Sequence, residues 1–287
     1  MSRILWLASY PKSGNTWLRV FFTNLHRGDA GPANINELGA PTLAGDRDLF
    51  DRLVGFSSTD LTDGEIDLLR PRVYLHLAEQ AAEPFFCKVH DARTVLPNGQ
   101  SLFPVEATAG AIYLIRNPLD VCVSYAHHNG TSDLDRIIAR MANLKSSYSG
   151  KWNGPGGQLP QRLLRWSDHV LSWVDAPRLR LLVLRYEDLQ ARPIESFTAA
   201  AAFAGLTQNS EKIARAVAFS SFEELQRQEQ ERGFAEQMAP GRSFFRKGKV
   251  GAWREVLTSE QAASIIGDHR EVMARFGYLS ETGEPIF

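Results

Sequence analysis

Near its amino terminus the chain reads Ser9-Tyr10-Pro11-Lys12-Ser13-Gly14-Asn15-Thr16-Trp17, and this segment joins an apolar run to a helix-compatible stretch. Residues 4–9 predict a buried strand, and residues 15–26 predict a helix. The turn between them places backbone N–H groups, a lysine and two hydroxyls at the amino terminus of the helix. Such a turn can bind phosphate, although an ordinary strand-to-helix turn with a solvated lysine has the same spacing.

This turn differs from a Walker A loop in two respects. Lys12 precedes Ser13 and Gly14, and the first glycine of the GxxxxGK[ST] pattern is missing. Because that pattern is what holds ATP and Mg in P-loop enzymes, Mg-dependent ATP chemistry loses support.

The rest of the chain alternates strand and helix patterns. Further buried strands are predicted at residues 85–90, 111–115 and 179–184. Helix starts are predicted by Pro118 in a first turn and by the capping pairs Thr62 with Glu65, Ser220 with Glu223, and Thr258 with Gln261. Other helical patterns cover residues 132–146, 161–174 and 194–204. The alternation predicts an α/β fold with a central parallel sheet flanked by helices.

The length and composition predict one globular domain over residues 1–287 with inserted loops, because neither a linker nor a repeat is visible. The net charge of −1, from 32 basic and 33 acidic residues, provides no general attraction for nucleic acid or for an anionic membrane. Any anion site must therefore be local. Cys87 and Cys122 lie in apolar elements without metal or disulfide spacing, and we expect buried free thiols.

The amino terminus predicts the location of the protein. The apolar run at residues 4–8 is too short for the core of a signal peptide, and no later run approaches the length of a membrane span. We therefore expect a cytoplasmic protein without a membrane span.

Two further segments favour anion binding. Arg116 ends a predicted strand, and Ser124 lies two turns into the helix that follows. The segment 245–251 reads FRKGKVG and concentrates three cations between an aromatic residue and glycines. Arginine binds phosphate through two parallel N–H groups, and a serine hydroxyl can assist it. Taken singly, each segment also fits an ordinary solvated or ion-paired surface.

In their order and spacing, the three segments resemble the cytosolic-type sulfotransferase family, over nearly the whole chain. YPKSGNTW resembles the family's 5'-phosphosulfate loop, RNPLDVCVS its 3'-phosphate motif, and FRKGKVGAW its carboxyl-terminal RKGxxGxW motif. The resemblance implies a P-loop-like nucleotide-binding fold and the sulfuryl donor 3'-phosphoadenosine 5'-phosphosulfate (PAPS). It also implies that adenosine 3',5'-bisphosphate (PAP) is the product and that no metal is required.

The resemblance also implies the role of individual residues. The 5'-phosphosulfate would be bound by Lys12, Ser13, Gly14, Asn15 and Thr16, and the 3'-phosphate by Arg116, Ser124, Arg246, Lys247 and Gly248. The adenine would be framed by Trp17, Tyr186 and Phe222, with a further nucleotide contact from Ser220. For Trp17 and Phe222, packing in the core is the alternative.

The acceptor side of the resemblance lies in Phe86-Cys87-Lys88-Val89-His90, which is similar to the family's KTH segment. His90 follows a predicted strand, and its imidazole has the acidity that suits a general base. Lys88 and Lys12 would stabilise charge on the transferring group, and Ser124 would restrain Lys12 until the acceptor binds. The alternative for His90 is a histidine that is merely hydrogen-bonded at the end of a strand.

Two segments depart from the family's pattern. The chain has Gly251-Ala252-Trp253-Arg254 where the family often has GDWK, and Val89 replaces the threonine of KTH. Neither change removes a proposed catalytic atom, but both alter the surroundings of a binding segment.

The predicted reaction is sulfuryl transfer to a hydroxyl group of a small-molecule acceptor, such as a phenol, an alcohol or a natural product. Loops within residues 28–60, 76–97 and 129–160 would form the acceptor pocket. Two alternatives remain: a P-loop kinase acting on a small metabolite, and a nucleotide-binding protein without catalytic activity. The sequence does not determine the oligomeric state.

Overall fold

The computed structural model describes residues 3–28, 31–38, 42–148, 157–237, 241–246 and 248–287. Within these residues there are seven strands: β1 (Ile4–Ser9), β2 (Thr42–Leu43), β3 (Phe85–Val89), β4 (Thr108–Ile115), β5 (Ser147–Tyr148), β6 (Gln161–Arg162) and β7 (Leu181–Arg185). The larger sheet has the order β2-β3-β1-β4-β7, and β5 pairs with β6. β3 runs parallel to both β1 and β2, with Ala8 opposite Val89. The sheet confirms the predicted α/β class.

Helices alternate with these strands. They are α1 (Asn15–Arg27), α2 (Arg47–Val54), α3 (Asp63–Gln80), α4 (Pro118–His128), α5 (Leu134–Met141), α6 (Trp166–Val174), α7 (Tyr186–Ala191), α8 (Pro193–Phe203), α9 (Ser210–Ala218), α10 (Phe222–Arg232) and α11 (Ser259–Arg275). The capping boxes predicted before α3 and α11 are both present, with Thr62 and Thr258 as their N-caps. These local signals are reliable because each cap satisfies backbone N–H groups that the helix itself leaves without partners.

Three details of the predicted helices are wrong. The N-cap of α10 is Ser221, because the Ser220 hydroxyl is buried and donates to the carbonyl of Ala216 in the preceding turn. The helix predicted over residues 161–174 begins only at Trp166, since Gln161–Arg162 pairs with β5. The helix predicted over residues 132–146 is limited to the eight residues of α5.

The structure divides into two compact units. The first unit comprises Met1–Tyr10, Ala40–Tyr113 and Asn143–Val183, and the second unit comprises Pro11–Gly39, Leu114–Ala142 and Leu184–Phe287. A core cluster of the first unit consists of Phe50, Ile66, Val73 and Leu159. A core cluster of the second unit consists of Val20, Ile35, Leu225, Phe234 and Phe245. The single domain predicted over residues 1–287 stays a prediction.

Both cysteines are buried free thiols, as the sequence predicts. Burial raises the pKa of the Cys122 thiol to about 12 and that of Cys87 still further, so neither forms a reactive thiolate readily. Across the described ranges, no helix combines the length and the apolar character needed to cross a membrane.

Candidate active site

The turn before α1 has an unusual backbone. Lys12 has a φ of 70° and Gly14 a φ of 103°. A Cβ at Gly14 would lie 2.8 Å from Cδ2 of Tyr186, so only glycine fits this position. Ser13 is 1% exposed, and its hydroxyl has no hydrogen-bond partner among the described residues. The turn therefore presents a buried hydroxyl and the N–H groups of a helix that no side chain caps.

Arg116 follows β4 and connects the second segment to this turn. Its Nη1 donates to the carbonyl oxygen of Lys12 at 3.2 Å, and its guanidinium carbon lies 4.2 Å from the centre of the Tyr186 ring. Its Nε is buried and makes no hydrogen bond to the part of the chain that the structure describes. Arg116 is thus held beside the Lys12 turn with a donor still available.

The third segment approaches the same tyrosine. The Tyr186 hydroxyl donates to the carbonyl oxygen of Gly248 at 3.2 Å. A Cβ at Gly248, where φ is 59°, would lie 2.6 Å from the Phe222 ring. Gln226 on α10 donates to the carbonyls of Phe245 and Arg246, at 2.8 and 3.1 Å. Lys247, the other predicted cation of this segment, lies outside the described residues.

Aromatic side chains surround these segments. Trp17 packs edge-to-face on Tyr186 and on Phe197, with ring centroids 5.9 and 5.3 Å apart. Phe222 and Trp17 both pack against the core cluster of the second unit. Trp17 and Phe222 therefore both pack in the core, which was the alternative to adenine binding. Each of the two rings also lies next to a predicted phosphate-binding segment.

Two predicted nucleotide residues have less direct positions. Ser220 is fully buried, and its hydroxyl accepts from the side-chain amide of Asn24 at 2.9 Å. A contact from this hydroxyl to a nucleotide would require that buried pair to open. Ser124 is partly buried on α4, in the second unit with Lys12 and Arg116.

We call this set of segments the Tyr186 site: residues 12–17, Arg116, Tyr186, Phe222, Phe245, Arg246 and Gly248. Two carboxylates that are not among the predicted site residues anchor it. Asp120 accepts the backbone N–H groups of Gly251 and Trp253, at 2.8 and 3.0 Å. Glu187 accepts the N–H of Asn117 and the hydroxyl of Tyr278, each at 3.0 Å, and its burial raises its pKa. Asp120 lies inside the RNPLDVCVS segment and Glu187 directly follows Tyr186, and these positions could have identified them.

The predicted base lies in the first unit, where β3 ends beside β1. Nδ1 of His90 is 2.8 Å from the backbone oxygen of Ser9 and 3.3 Å from its hydroxyl. A carbonyl oxygen only accepts, so Nδ1 carries the hydrogen and Nε2 carries the lone pair. Lys88 is 9% exposed and lies opposite Leu7 in the sheet. His90 thus has the tautomer that a base acting through Nε2 needs.

Buried polar side chains hold the backbone at His90. Nε2 of His169 donates to the His90 carbonyl at 3.0 Å, and Nδ1 of His169 is 2.8 Å from the Tyr113 hydroxyl. Burial lowers the pKa of His169 to about 4, so this imidazole is neutral near pH 7. The next residue, Asp91, receives two hydrogen bonds from Arg70 at 2.9 and 2.6 Å. We call His90 with these four residues the His90 site.

Most predicted cofactor residues are therefore grouped in the second unit, whereas His90 and Lys88 lie in the first. Within the described ranges, no group of three or more histidine, cysteine, aspartate or glutamate residues is arranged to hold a metal ion.

The sulfotransferase domain family matches residues 3–277 of the chain. The chain belongs to the sulfotransferase family. This sulfotransferase is 28% identical to cytosolic sulfotransferase 16 of Arabidopsis thaliana, over 95% of its own length and 77% of the relative's. It is 26% identical to a flavonol sulfotransferase-like protein of Flaveria bidentis, over 91% and 78% of the two chains. It is also 26% identical to sulfotransferase 1B1 of Mus musculus, over 93% and 82%.

Solved structures confirm the fold of this sulfotransferase. A retinol dehydratase in complex with androsterone and the inactive cofactor PAP matches with a TM-score of 0.62 and 21% identity, over 94% of this chain and 80% of that one. A mouse sulfotransferase complexed with PAP matches with a TM-score of 0.61 and 20% identity, over 99% and 86%. The predicted α/β sulfotransferase fold is therefore confirmed.

Proposed function

We propose that this sulfotransferase moves a sulfuryl group from PAPS to a hydroxyl group of a small-molecule acceptor, releasing PAP, with His90 as the general base. The observation that supports the proposal most is the meeting of three segments at Tyr186. Arg116 lies over the Tyr186 ring, Gly14 packs against the edge of that ring, and the Tyr186 hydroxyl donates to the carbonyl of Gly248. Three anion-binding segments around one aromatic ring suit a nucleotide that carries phosphate groups at two positions.

The atoms of the Tyr186 site fit this donor. The Ser13 hydroxyl and Nε of Arg116 are buried donors that no described residue satisfies. Gly14 and Gly248 leave no room for a side chain where their segments pack against Tyr186 and Phe222. Two local donor sets beside aromatic rings are what a 5'-phosphosulfate, a 3'-phosphate and an adenine require.

We assign the donor-binding roles as follows. The 5'-phosphosulfate is bound by Lys12, Ser13, Gly14, Asn15 and Thr16, and the 3'-phosphate by Arg116, Ser124, Arg246, Lys247 and Gly248. Trp17, Tyr186 and Phe222 frame the adenine. Ser220 is assigned a further nucleotide contact, which requires its hydrogen bond with Asn24 to open.

Catalysis requires an oriented nucleophile and stabilised charge at the transferring group. Nε2 of His90 accepts the proton of the acceptor hydroxyl as the new oxygen–sulfur bond forms. Lys88 and Lys12 stabilise the sulfuryl oxygens, and Lys12 then neutralises the bridging oxygen as its bond to sulfur breaks. A sulfuryl group carries less negative charge than a phosphoryl group, so lysines and backbone N–H groups suffice without a metal ion.

The acceptor that we propose is a small organic molecule with a hydroxyl group, such as a phenol, an alcohol or another natural product. Solved relatives were captured with androsterone and with retinol, and one curated relative is named for a flavonol. The net charge of −1 provides no attraction for a nucleic acid or for a long polyanion.

Isothermal titration with PAP, without metal, tests the donor. We expect selective binding of PAP over ATP with Mg and over adenosine 5'-monophosphate, which lacks the 3'-phosphate. Arg116→Ala should weaken PAP about 10- to 100-fold, because a charged hydrogen-bond donor to phosphate is lost. The matched control is Arg192→Ala, which removes an exposed arginine that forms surface ion pairs with Asp188 and Glu195 in the second unit.

Three other outcomes are informative. Binding of ATP with Mg but not of PAP would contradict the proposal and favour the kinase. Tight PAP binding without sulfuryl transfer to any of a panel of phenols and alcohols would favour a nucleotide-binding protein without activity. Equal PAP affinity of the Arg116 and Arg192 variants would refute the 3'-phosphate assignment.

A further inference from the structure

The ammonium group of Lys12 has an aromatic partner. Its Nζ lies 3.6 Å from the centre of the Phe244 ring, well within the range of a cation–π contact. The Lys12 backbone is in the left-handed region, and its carbonyl oxygen accepts from Arg116. The start of the lysine side chain is therefore fixed by its own turn, and its end lies on a ring from a segment more than 200 residues later.

The Phe244 ring is held firmly enough to define where that ammonium lies. The Glu229 carboxylate accepts the N–H of Phe244 and, at 2.9 Å, that of Phe245. The rings of Phe234, Phe245 and His128 pack against Phe244, with centroids 4.7, 5.0 and 5.7 Å away. All these residues lie in the second unit, as Lys12 does.

We propose that Phe244 is a positioning residue that holds the Lys12 ammonium until the acceptor is in place. The inference rests on the proposed role of Lys12. It also extends that role, because the recognised FRKGKVGAW motif begins only at Phe245 and leaves Phe244 without a function.

The chemistry of the contact suits a temporary restraint. A ring face attracts the cation through its quadrupole, but it takes no proton and forms no ion pair, so Lys12 keeps its full charge. A carboxylate in the same place would bind the ammonium more strongly. The negative charge that develops on the bridging oxygen during transfer therefore competes successfully with the ring for Lys12.

Loss of the ring would release Lys12 too early. Lys12 would then stabilise the bridging oxygen while water, not the acceptor, attacks sulfur. A bond forms between the water oxygen and sulfur, the bond from sulfur to the bridging oxygen breaks, and the products are sulfate, PAP and the two protons of the water. We expect acceptor-independent hydrolysis of PAPS as the signature of a lost restraint.

Fluorinated phenylalanines at position 244 provide the test, because one, two and three fluorine atoms weaken the ring quadrupole stepwise with little change in shape. We expect sulfate release without acceptor to rise along that series and to be highest in Phe244→Leu, by about 2- to 30-fold. Phe244→Trp, which keeps a strong cation–π partner, should restore low hydrolysis. The matched control is Phe56→Leu, at a phenylalanine that is 51% exposed.

A second readout does not depend on turnover. In protein labelled with ¹³C-lysine, the ε-methylene signal of Lys12, assigned with Lys12→Arg, should be shifted upfield by the ring current of Phe244. Phe244→Leu should remove that shift. An unshifted Lys12 signal in the unmodified protein would overturn the inference, whatever the outcome of the PAP titration.

The hydrolysis assay and the Lys12 signal together distinguish failure of the proposed function from failure of the proposed role of Phe244. A protein that fails to bind PAP and to turn over PAPS refutes the proposed function, while the Lys12 signal still reports on the contact. A protein that transfers sulfuryl groups, but whose hydrolysis is unchanged by fluorination and raised by Ser124→Ala, would show that Ser124 is the restraint and that Phe244 is not.

Discussion

The Tyr186 site and the His90 site are stabilised in different ways. In the Tyr186 site the binding segments are held mainly through their backbone, as when Asp120 accepts two N–H groups and Gln226 donates to two carbonyls. In the His90 site, buried side chains hold the strand end, above all the fully buried pair of Arg70 and Asp91. A nucleotide that is bound by N–H groups and cations needs shaped loops, whereas a base needs one side chain in one tautomer.

The largest effect is expected from His90→Ala. Removal of a general base should lower turnover at saturating acceptor about 100- to 10,000-fold, while PAP affinity stays unchanged because the Tyr186 site is intact. Steady-state kinetics and titration on the same preparation measure the two quantities. The exposed His26 on α1 provides the control variant His26→Ala. Near-normal turnover of the His90 variant would refute the role of His90 as general base, without contradicting the proposed PAPS site.

Arg70→Met is the next largest expected effect. The change leaves the buried Asp91 carboxylate without its ion-pair partner, and breaking a buried pair costs about 3–5 kcal/mol of unfolding free energy. Chemical denaturation measures the loss. Arg162→Met is the matched control, because Arg162 is 42% exposed in its pair with Asp67 and should cost about 1 kcal/mol or less. Equal losses in the two variants would show that burial does not distinguish these pairs.

His169→Gln should change how stability depends on pH. The pKa of His169 is about 4 in the folded protein and ordinary in the unfolded chain, so the unfolded chain binds more protons between those values. The unfolding free energy therefore falls as the pH falls through this window. Between pH 7 and 4.5 the wild type should lose about 2–3 kcal/mol more than the glutamine variant.

Denaturation curves across that pH range measure the difference. Glutamine keeps an N–H donor for the His90 carbonyl, so turnover at pH 7 should be nearly retained, whereas His169→Leu should lower it. The surface variant His26→Gln should keep the wild-type pH dependence. The same pH dependence in wild type and His169→Gln would refute the buried neutral imidazole.

The smallest effect is expected from Asp120→Asn, at a carboxylate that anchors the Tyr186 site. An amide has one acceptor oxygen for the two N–H groups of Gly251 and Trp253, so one of them loses its partner at a cost of about 1–2 kcal/mol. PAP titration should show weaker binding without a change in the pH profile of turnover. The control is Asp268→Asn on an exposed position of α11. Unchanged PAP affinity in the Asp120 variant would show that Asp120 does not support PAP binding by the segment 245–251.

The secondary structure was predictable where local signals were complete. The capping boxes of α3 and α11 and the strand at residues 4–9 could be read directly, because caps and apolar runs act over a few residues. The start of α10 could not, since two adjacent serines offer the same cap. Burial of the Ser220 hydroxyl against Ala216 and Asn24 decides between them, and that burial depends on distant residues.

The sequence by itself determined the family, the α/β class and the three segments that we predict to bind anions, because glycines, cations and hydroxyls in a fixed order carry that information locally. Tertiary structure alone decided that Tyr186 joins the segments of its unit, that Phe244 lies under Lys12, and that Arg70 and His169 hold the strand end at His90. These contacts join residues from about 20 to more than 200 positions apart. Their partners are chosen by packing and by the need of buried polar groups for hydrogen bonds, which no local pattern records.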